Sequence, residues 1–312
     1  MFRVARLTPV DAAEYFPAPV VSTSALATML KRCYRVAMAC FSVAAYASFA
    51  PVGYLAFSAL AWIPTRDPTR RAHRLQGIMR RAFAFMHHWL RWVRVLDYDP
   101  RKLVGTLPEG PCIVIANHPA LDDVTTVMST IPRLCTAVNG RTFNRRWLRP
   151  LLAGAGQFDG GIRNLLGSQR VLERASERLQ QGFRVLVFPE GARSPRGQLR
   201  PFARGAFEIA CRVGVPVRPV LIRADPLWLT RGDSVLLPPA ELPRKRVEVL
   251  DPLHPADFGG DSHSMRDYAE AMYSRLLGAP VARSHAHHPA SRATIESTIG
   301  EDHSERRPRV TN

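Results

Sequence analysis

The sequence predicts an α/β fold: a mostly parallel central sheet flanked by helices, with an N-terminal helical membrane-attachment segment. Three observations lead there. Two short apolar runs, Cys112–Ile115 and Val185–Phe188, read as buried strands, and each runs directly into a polar stretch. The stretch 168–181 carries Val171, Leu172, Ala175 and Leu179 as one helical stripe. Gly182 ends it, and it feeds the second strand, which is the alternation expected of a parallel sheet. From Val36 to Ile63, a run of 28 residues, no side chain is charged.

In chain order, residues 1–30 form an N-terminal tail. The membrane segment then occupies 31–70. Its uncharged run exceeds the roughly 20 residues that span a bilayer. Lys31, Arg32 and Arg35 precede the run, and Arg66, Arg70, Arg71 and Arg74 follow it. Basic flanks on both sides orient it only weakly. Pro51 and Gly53 interrupt it, which leaves two forms: a single kinked span, or a re-entrant hairpin turning at the breakers with both ends on the cytoplasmic face. The breakers fall where the hairpin needs them. The run begins too late and is too long for a cleaved leader.

The α/β domain is expected over 71–278. From Arg70 to Leu96, Leu75, Ile78, Met79, Ala82, Phe85, Met86, Trp89, Trp92 and Val93 recur at helical spacing among arginines. Such a helix suits a membrane interface, and it equally suits a cover over the sheet. Around Phe143, Trp147 and Leu148 stand Arg141, Arg145, Arg146 and Arg149, a basic wall or a solvated helix face. Further on, 207–213 reads as a helix, 217–222 and 247–250 as strands, and 266–277 as a closing helix. The stretch 279–312 is rich in Ser, His, Arg and Pro and is expected to be disordered.

Net charge is +17, almost all from arginine; Lys31, Lys102 and Lys245 are the only lysines. Such a balance favours anionic partners: acidic lipid surfaces, carrier proteins or phosphate-bearing small molecules. No nucleic-acid-binding motif accompanies it, so nucleic acid is not expected as a partner. Five scattered cysteines without a C-x-x-C pair exclude a disulfide framework and suit reduced thiols in a cytosolic compartment.

The chemistry concentrates in two stretches, Asn117-His118-Pro119-Ala120-Leu121-Asp122-Asp123 and Phe188-Pro189-Glu190-Gly191-Ala192-Arg193-Ser194. Each sits at the carboxyl end of a strand, where open α/β sheets place ligands. Histidine is the usual general base near neutral pH, and it needs a carboxylate to fix its tautomer. Pro119 suits the first helical position, so His118 falls just outside the helix and Asp123, in its first turns, can reach back; Asp122 is a rival. Taken alone, Asn117 reads as a helix cap and Glu190 as another. Gly191 permits close backbone approach to a ligand, and Arg193 can grip phosphate through two nitrogens. No Gly-x-Ser-x-Gly elbow, Walker loop, paired Cys–His or metal-ligand spacing is present, which leaves serine hydrolase and NTPase chemistry without support.

On these residues the chain resembles the lysophosphatidate acyltransferase (glycerolipid acyltransferase) superfamily. Asn117–Asp123 is similar to that family's first signature block and Phe188–Ser194 to its third. Val215-Pro216-Val217-Arg218-Pro219 is similar to the fourth, and Arg204-Gly205-Ala206 to the basic–Gly step before it. The second block, Gly-x-x-Phe-Ile-x-Arg, is matched at altered spacing by Gly156, Phe158 and Arg163. The resemblance implies O-acyl transfer by a membrane-bound enzyme, with 71–278 as the acyltransferase domain. The donor would be acyl-CoA or acyl carrier protein, with no bound cofactor or metal. The acceptor would be a lysophospholipid, above all 1-acylglycerol-3-phosphate, or another glycerolipid or lyso-aminolipid. It further implies His118 and Asp123 as catalytic, and Asn117, Glu190, Gly191, Arg193 and Arg163 as substrate-binding. The setting it implies is the cytoplasmic side of the inner membrane, on anionic lipid. A lipid- or carrier-binding protein without catalysis is the alternative from another class.

Overall fold

A computed structural model describes residues 25–106, 109–161 and 169–282 of the 312. Six strands form one sheet in the order β3-β2-β4-β1-β5-β6: β1 Ile113–Ala116, β2 Leu134–Val138, β3 Phe158–Asp159, β4 Arg184–Val187, β5 Val217–Asp225 and β6 Arg244–Val249. Strands β1 to β5 run parallel, and β6 pairs antiparallel with β5 at one edge. The expected α/β class is therefore the observed one.

Both faces of the sheet are covered, and the period of two divides the strand residues between them. Ile113, Ile115, Val185 and Val187 face a core with α6 (Gln169–Gln180), α7 (Gly205–Val213) and α8 (Ser262–Leu277). Cys112, Val114, Ala116 and Leu186 face the opposite core, with α2 (Pro68–Trp92) and α3 (Asp123–Thr130). Two short helices, α4 (Gly140–Phe143) and α5 (Arg149–Gly154), follow β2. Strand β5 carries Pro219, which has no N–H to give the ladder. The buried Tyr273 hydroxyl lies beside it, accepting from the Val220 amide at 2.9 Å and standing 3.0 Å from the Ile115 and Val220 carbonyls.

Residues 25–62 form α1, one helix (Ala25–Trp62) with Pro51 inside it. Its arms, Ala25–Ser48 and Gly53–Leu60, meet at 43°. Such a bent pair fits either expected form, a kinked span or a re-entrant segment, with the proline bending the helix without ending it. No single described helix is long and apolar enough to cross a membrane, although the bent pair qualifies by length and composition. Ser42 on α1 accepts a hydrogen bond from the Trp89 indole of α2 at 3.0 Å.

Helix α2 covers the sheet along one part of its length and is exposed along another. Leu75 and Met79 are buried over the sheet, while Phe85 (66% exposed) and Trp92 (74%) lie outward. Asp67 caps it through the Arg70 amide, with Pro68 in its first turn. Pro119, in contrast, does not open a helix: α3 starts at Asp123, and 117–122 is a loop. The ordered domain also passes Gly278, because Val281 bridges Leu199. The rest of the expected disordered tail, from 283 on, lies outside the described residues, as do Arg163 and most of the N-terminal tail.

Candidate active site

Because β1 and β4 are adjacent and parallel, with Ile115 opposite Val187, the loops that follow them emerge side by side. They are stitched together. The His118 amide donates to Glu190 Oε1 at 2.8 Å, and the Ser194 amide donates to the His118 carbonyl at 2.8 Å. The imidazole of His118 stacks on Phe188, with centroids 4.2 Å apart and planes inclined by 26°. The histidine is thus fixed in main chain and ring alike.

Its ring faces Asp123. Nδ1 stands 3.0 Å from Asp123 Oδ2, which also accepts from the Ala120 amide at 2.6 Å. The other oxygen, Oδ1, accepts from Lys245 Nζ at 2.9 Å. A carboxylate with these partners accepts only, so the ring proton sits on Nδ1 and Nε2 carries the lone pair. Nε2 makes no hydrogen bond among the described residues, and the His118 side chain keeps 17% of its surface exposed. This is the geometry of an oriented general base.

Asp122, the rival partner, is drawn elsewhere. Its Oδ1 takes Lys245 Nζ at 2.6 Å. Burial alone would raise the Asp122 carboxyl; the lysine's charge outweighs it and holds the group below the ordinary carboxylate range. Burial likewise works against the Lys245 ammonium, and the two carboxylates reverse this and raise it. The Lys245 side chain is 2% exposed. Beneath this cluster His87, on α2, is wholly buried and pushed down to about 4, chiefly by burial. Its Nδ1 has no partner among the described residues, and its ring meets Tyr98 edge-on at 4.9 Å.

The loop after β4 is built on Glu190, which is 5% exposed. Besides the His118 amide, it accepts from Ser194 Oγ at 2.6 Å and from the Arg200 amide at 2.9 Å. It caps no helix, and among the described residues it makes no hydrogen bond or ion pair with Arg193. Arg193, half-buried, gives Nη1 to the carbonyls of Leu229 and Thr230, both at 3.1 Å, and so ties this loop to the one after β5. Leu229 also receives the Leu121 amide at 2.9 Å. Gly191 has φ of +67° with open space where a Cβ would stand, so backbone conformation rather than crowding asks for glycine. At Gly156 both demands apply: φ is +84°, and a Cβ would lie 2.6 Å from the Phe183 ring.

Two expectations change. Asn117 is buried and spends its amide on Ile222, donating to the carbonyl at 2.9 Å and accepting from the amide at 2.8 Å. It bolts the end of β1 to β5, and it caps no helix. Lys245 was not among the site residues anticipated. Its signal was parity: it alternates with Val247 and Val249, which face the core, so an inward lysine had to find buried carboxylates.

The fold and this pairing of loops define an α/β domain of acyltransferase type, and comparison with known proteins agrees. Residues 98–223 match the family model described as Acyltransferase. The human 1-acyl-sn-glycerol-3-phosphate acyltransferase beta is 31% identical over 130 residues, 39% of this chain and 44% of that protein. The Pseudomonas aeruginosa 1-acyl-sn-glycerol-3-phosphate acyltransferase is 27% identical over 152 residues, 46% of this chain and 56% of that protein. The chain thus spans about half the length of the curated relatives it matches. The crystal structure of the 1-acyl-sn-glycerophosphate (LPA) acyltransferase, PlsC, from Thermotoga maritima shares the fold, with a TM-score of 0.59 at 21% identity over 80% of this chain and 96% of that one. Over the matched stretch the chain is similar to acyltransferases of this kind, and residues 98–223 carry the Acyltransferase domain.

Proposed function

We propose that the protein transfers a fatty acyl group from acyl-CoA or acyl carrier protein to the hydroxyl of a lysophospholipid, most simply 1-acylglycerol-3-phosphate, giving phosphatidate. The observation that carries this reading is the bare Nε2 of His118, whose ring is held by Asp123 at 3.0 Å at the carboxyl end of a central strand. Nε2 takes the acceptor hydroxyl's proton as the oxygen attacks the thioester carbonyl. The tetrahedral intermediate collapses and expels the thiolate, which takes that proton back from the imidazolium and leaves His118 neutral. Asp123 stabilises the imidazolium without being protonated. No acyl-enzyme is needed.

The setting is inferred as the cytoplasmic face of the inner membrane. Supporting it are the exposed apolar residues of α1, among them Leu26, Met29, Leu30, Phe41 and Leu55, and the exposed arginines 141, 145, 146 and 149 beside Trp147. Arginines suit anionic headgroups. Arg193 has donors beyond Nη1 to offer an acceptor phosphate, while Arg163 retains its family role only as an expectation. The test is turnover by the purified full chain with a panel of lyso-lipids and both donor types, with products identified by mass spectrometry. Phosphatidate from lysophosphatidate supports the reading; product from another acceptor alone moves the substrate; no ester formed with any pair overturns it.

A further inference from the structure

We propose that Lys245 is a positioning residue that sets the basicity of His118, acting through Asp123; this deepens, and rests on, the acyl-transfer reading of the site. An orienting carboxylate explains the pair His118–Asp123. It does not explain why a second carboxylate and a lysine are buried behind it. Lys245 Nζ bridges Asp122 Oδ1 and Asp123 Oδ1 at 2.6 and 2.9 Å, from a strand that no other site residue occupies. Burying such ions gains little net stability, because loss of hydration offsets their attraction. Their arrangement has a clear electrostatic consequence instead. Asp122, Asp123 and Lys245 together carry one negative charge, and the ammonium lies on the oxygen of Asp123 turned away from the imidazole.

Lys245 thereby draws charge from the carboxylate that His118 depends on. An uncompensated Asp123 would stabilise the imidazolium and raise the histidine's pKa, so that less of it is the free base at neutral pH. With the lysine present, Asp123 still orients the ring but holds the proton less firmly. The other titratable or charged groups around this cluster are Glu190 and Arg193 on the loop after β4, with His87 and Tyr98 on the α2 side. Glu190 is directed at the His118 amide rather than its ring, and His87 is held neutral by burial. Lys245 is therefore the cation that bears on the Asp123 carboxylate.

The test is an NMR titration of the full chain in detergent with carbon-13-labelled histidine, His118 being assigned by its loss in His118→Gln, alongside pH–rate profiles for acyl transfer. Lys245→Met is expected to raise the His118 pKa by about one unit. The acid limb of kcat is expected to rise with it, and turnover to recover toward alkaline pH. Lys245→Arg keeps the wild-type value. Asp122→Asn with Lys245→Met restores the net charge of the cluster and returns the pKa to near wild type. Asp122→Asn alone leaves the lysine facing one carboxylate and lowers the pKa, which gives a readout in the opposite sense should Lys245→Met not fold. A His118 titration that none of these variants moves, or a rate loss equal at every pH with no shift, overturns the proposal. If the wild-type chain transfers no acyl group, the reaction reading falls, while the titration still decides the role of the lysine.

Discussion

Two carboxylates lie at the mouth of the sheet, Asp123 after β1 and Glu190 after β4, and they differ in what they hold. Each is buried and each accepts three hydrogen bonds. Asp123 holds an imidazole, an ammonium and one backbone amide. Glu190 holds two backbone amides and a hydroxyl. The first set can change charge during a reaction, and the second cannot. Identical side-chain chemistry at neighbouring strand ends therefore serves two ends: one carboxylate conditions a base, and the other shapes the loop that frames it.

The comparison breaks most sharply at the base. His118→Ala removes the proton acceptor and is expected to lower turnover by about 10² to 10⁴. The fold is expected to survive, read as an unchanged circular dichroism spectrum, because the backbone bonds of His118 to Glu190 and Ser194 remain. Asp123→Asn is expected to cost much of the same activity and Asp122→Asn less, since Asp123, not Asp122, meets the ring nitrogen. The reverse ranking in a turnover assay would transfer the partner role to Asp122.

Glu190→Ala tests the other half. It strands the His118 amide, the Arg200 amide and the Ser194 hydroxyl, and is expected to destabilise the chain by roughly 3 kcal/mol, measured as a shift in the denaturation midpoint. Turnover drops as the loop loosens, but the acid limb of the pH–rate profile stays where it was. A limb that moves would mean Glu190 shares in the proton chemistry, and the contrast with Asp123 would be lost.

Acid offers a smaller test. His87 lies under the Asp122–Asp123–Lys245 cluster with its pKa depressed to about 4 from 6.5. Between those values the unfolded chain binds a proton that the native chain refuses, so stability is complete above about 6.5 and falls as pH drops toward 4. The loss is expected to be roughly 2 to 3 kcal/mol. Denaturant midpoints across that window measure it, and His87→Leu is expected to flatten the slope. Asp122, whose carboxyl is held low by Lys245, adds a further loss below the ordinary carboxylate range. Glu190→Ala leaves the His87 slope in place, which separates the two networks by pH.

How far the molecule could be read from its sequence follows from how local each signal is. Strands β1 and β4 were legible as apolar runs, and His118 with Asp123 as a short spacing. β2 and β3 were not: β3 has two residues, and the Leu134–Val138 run has no motif to mark it. The register of a helix start was misjudged, because Pro119 fits a turn as well as a first helical residue. What Asn117 and Lys245 hold lay beyond reach for a common reason. Their partners, Ile222 and the two aspartates, are more than 100 residues away and are brought near only by the order of strands in the sheet. The form of the N-terminal segment was not legible either, because Pro51 and Gly53 can bend a helix without ending it.

The smallest effect separates the two loops by ligand rather than by charge. Arg193 spends Nη1 on the Leu229 and Thr230 carbonyls, which leaves its remaining donors for an anion at the mouth. A lysine has one nitrogen. It can hold the carbonyls or meet a phosphate, but it cannot reproduce the planar fork that does both. Arg193→Lys is therefore expected to cost under about 1 kcal/mol of stability, as one pair of exchangeable hydrogen bonds. It is expected to raise the apparent KM for a phosphate-bearing acceptor about tenfold, the loss of one charge-assisted contact. The KM for the acyl donor moves little in the same assay. A rise confined to the donor would place the thioester carrier's phosphates at Arg193, and the loop after β4 would then frame the donor while Asp123 and His118 serve an acceptor with no anionic group.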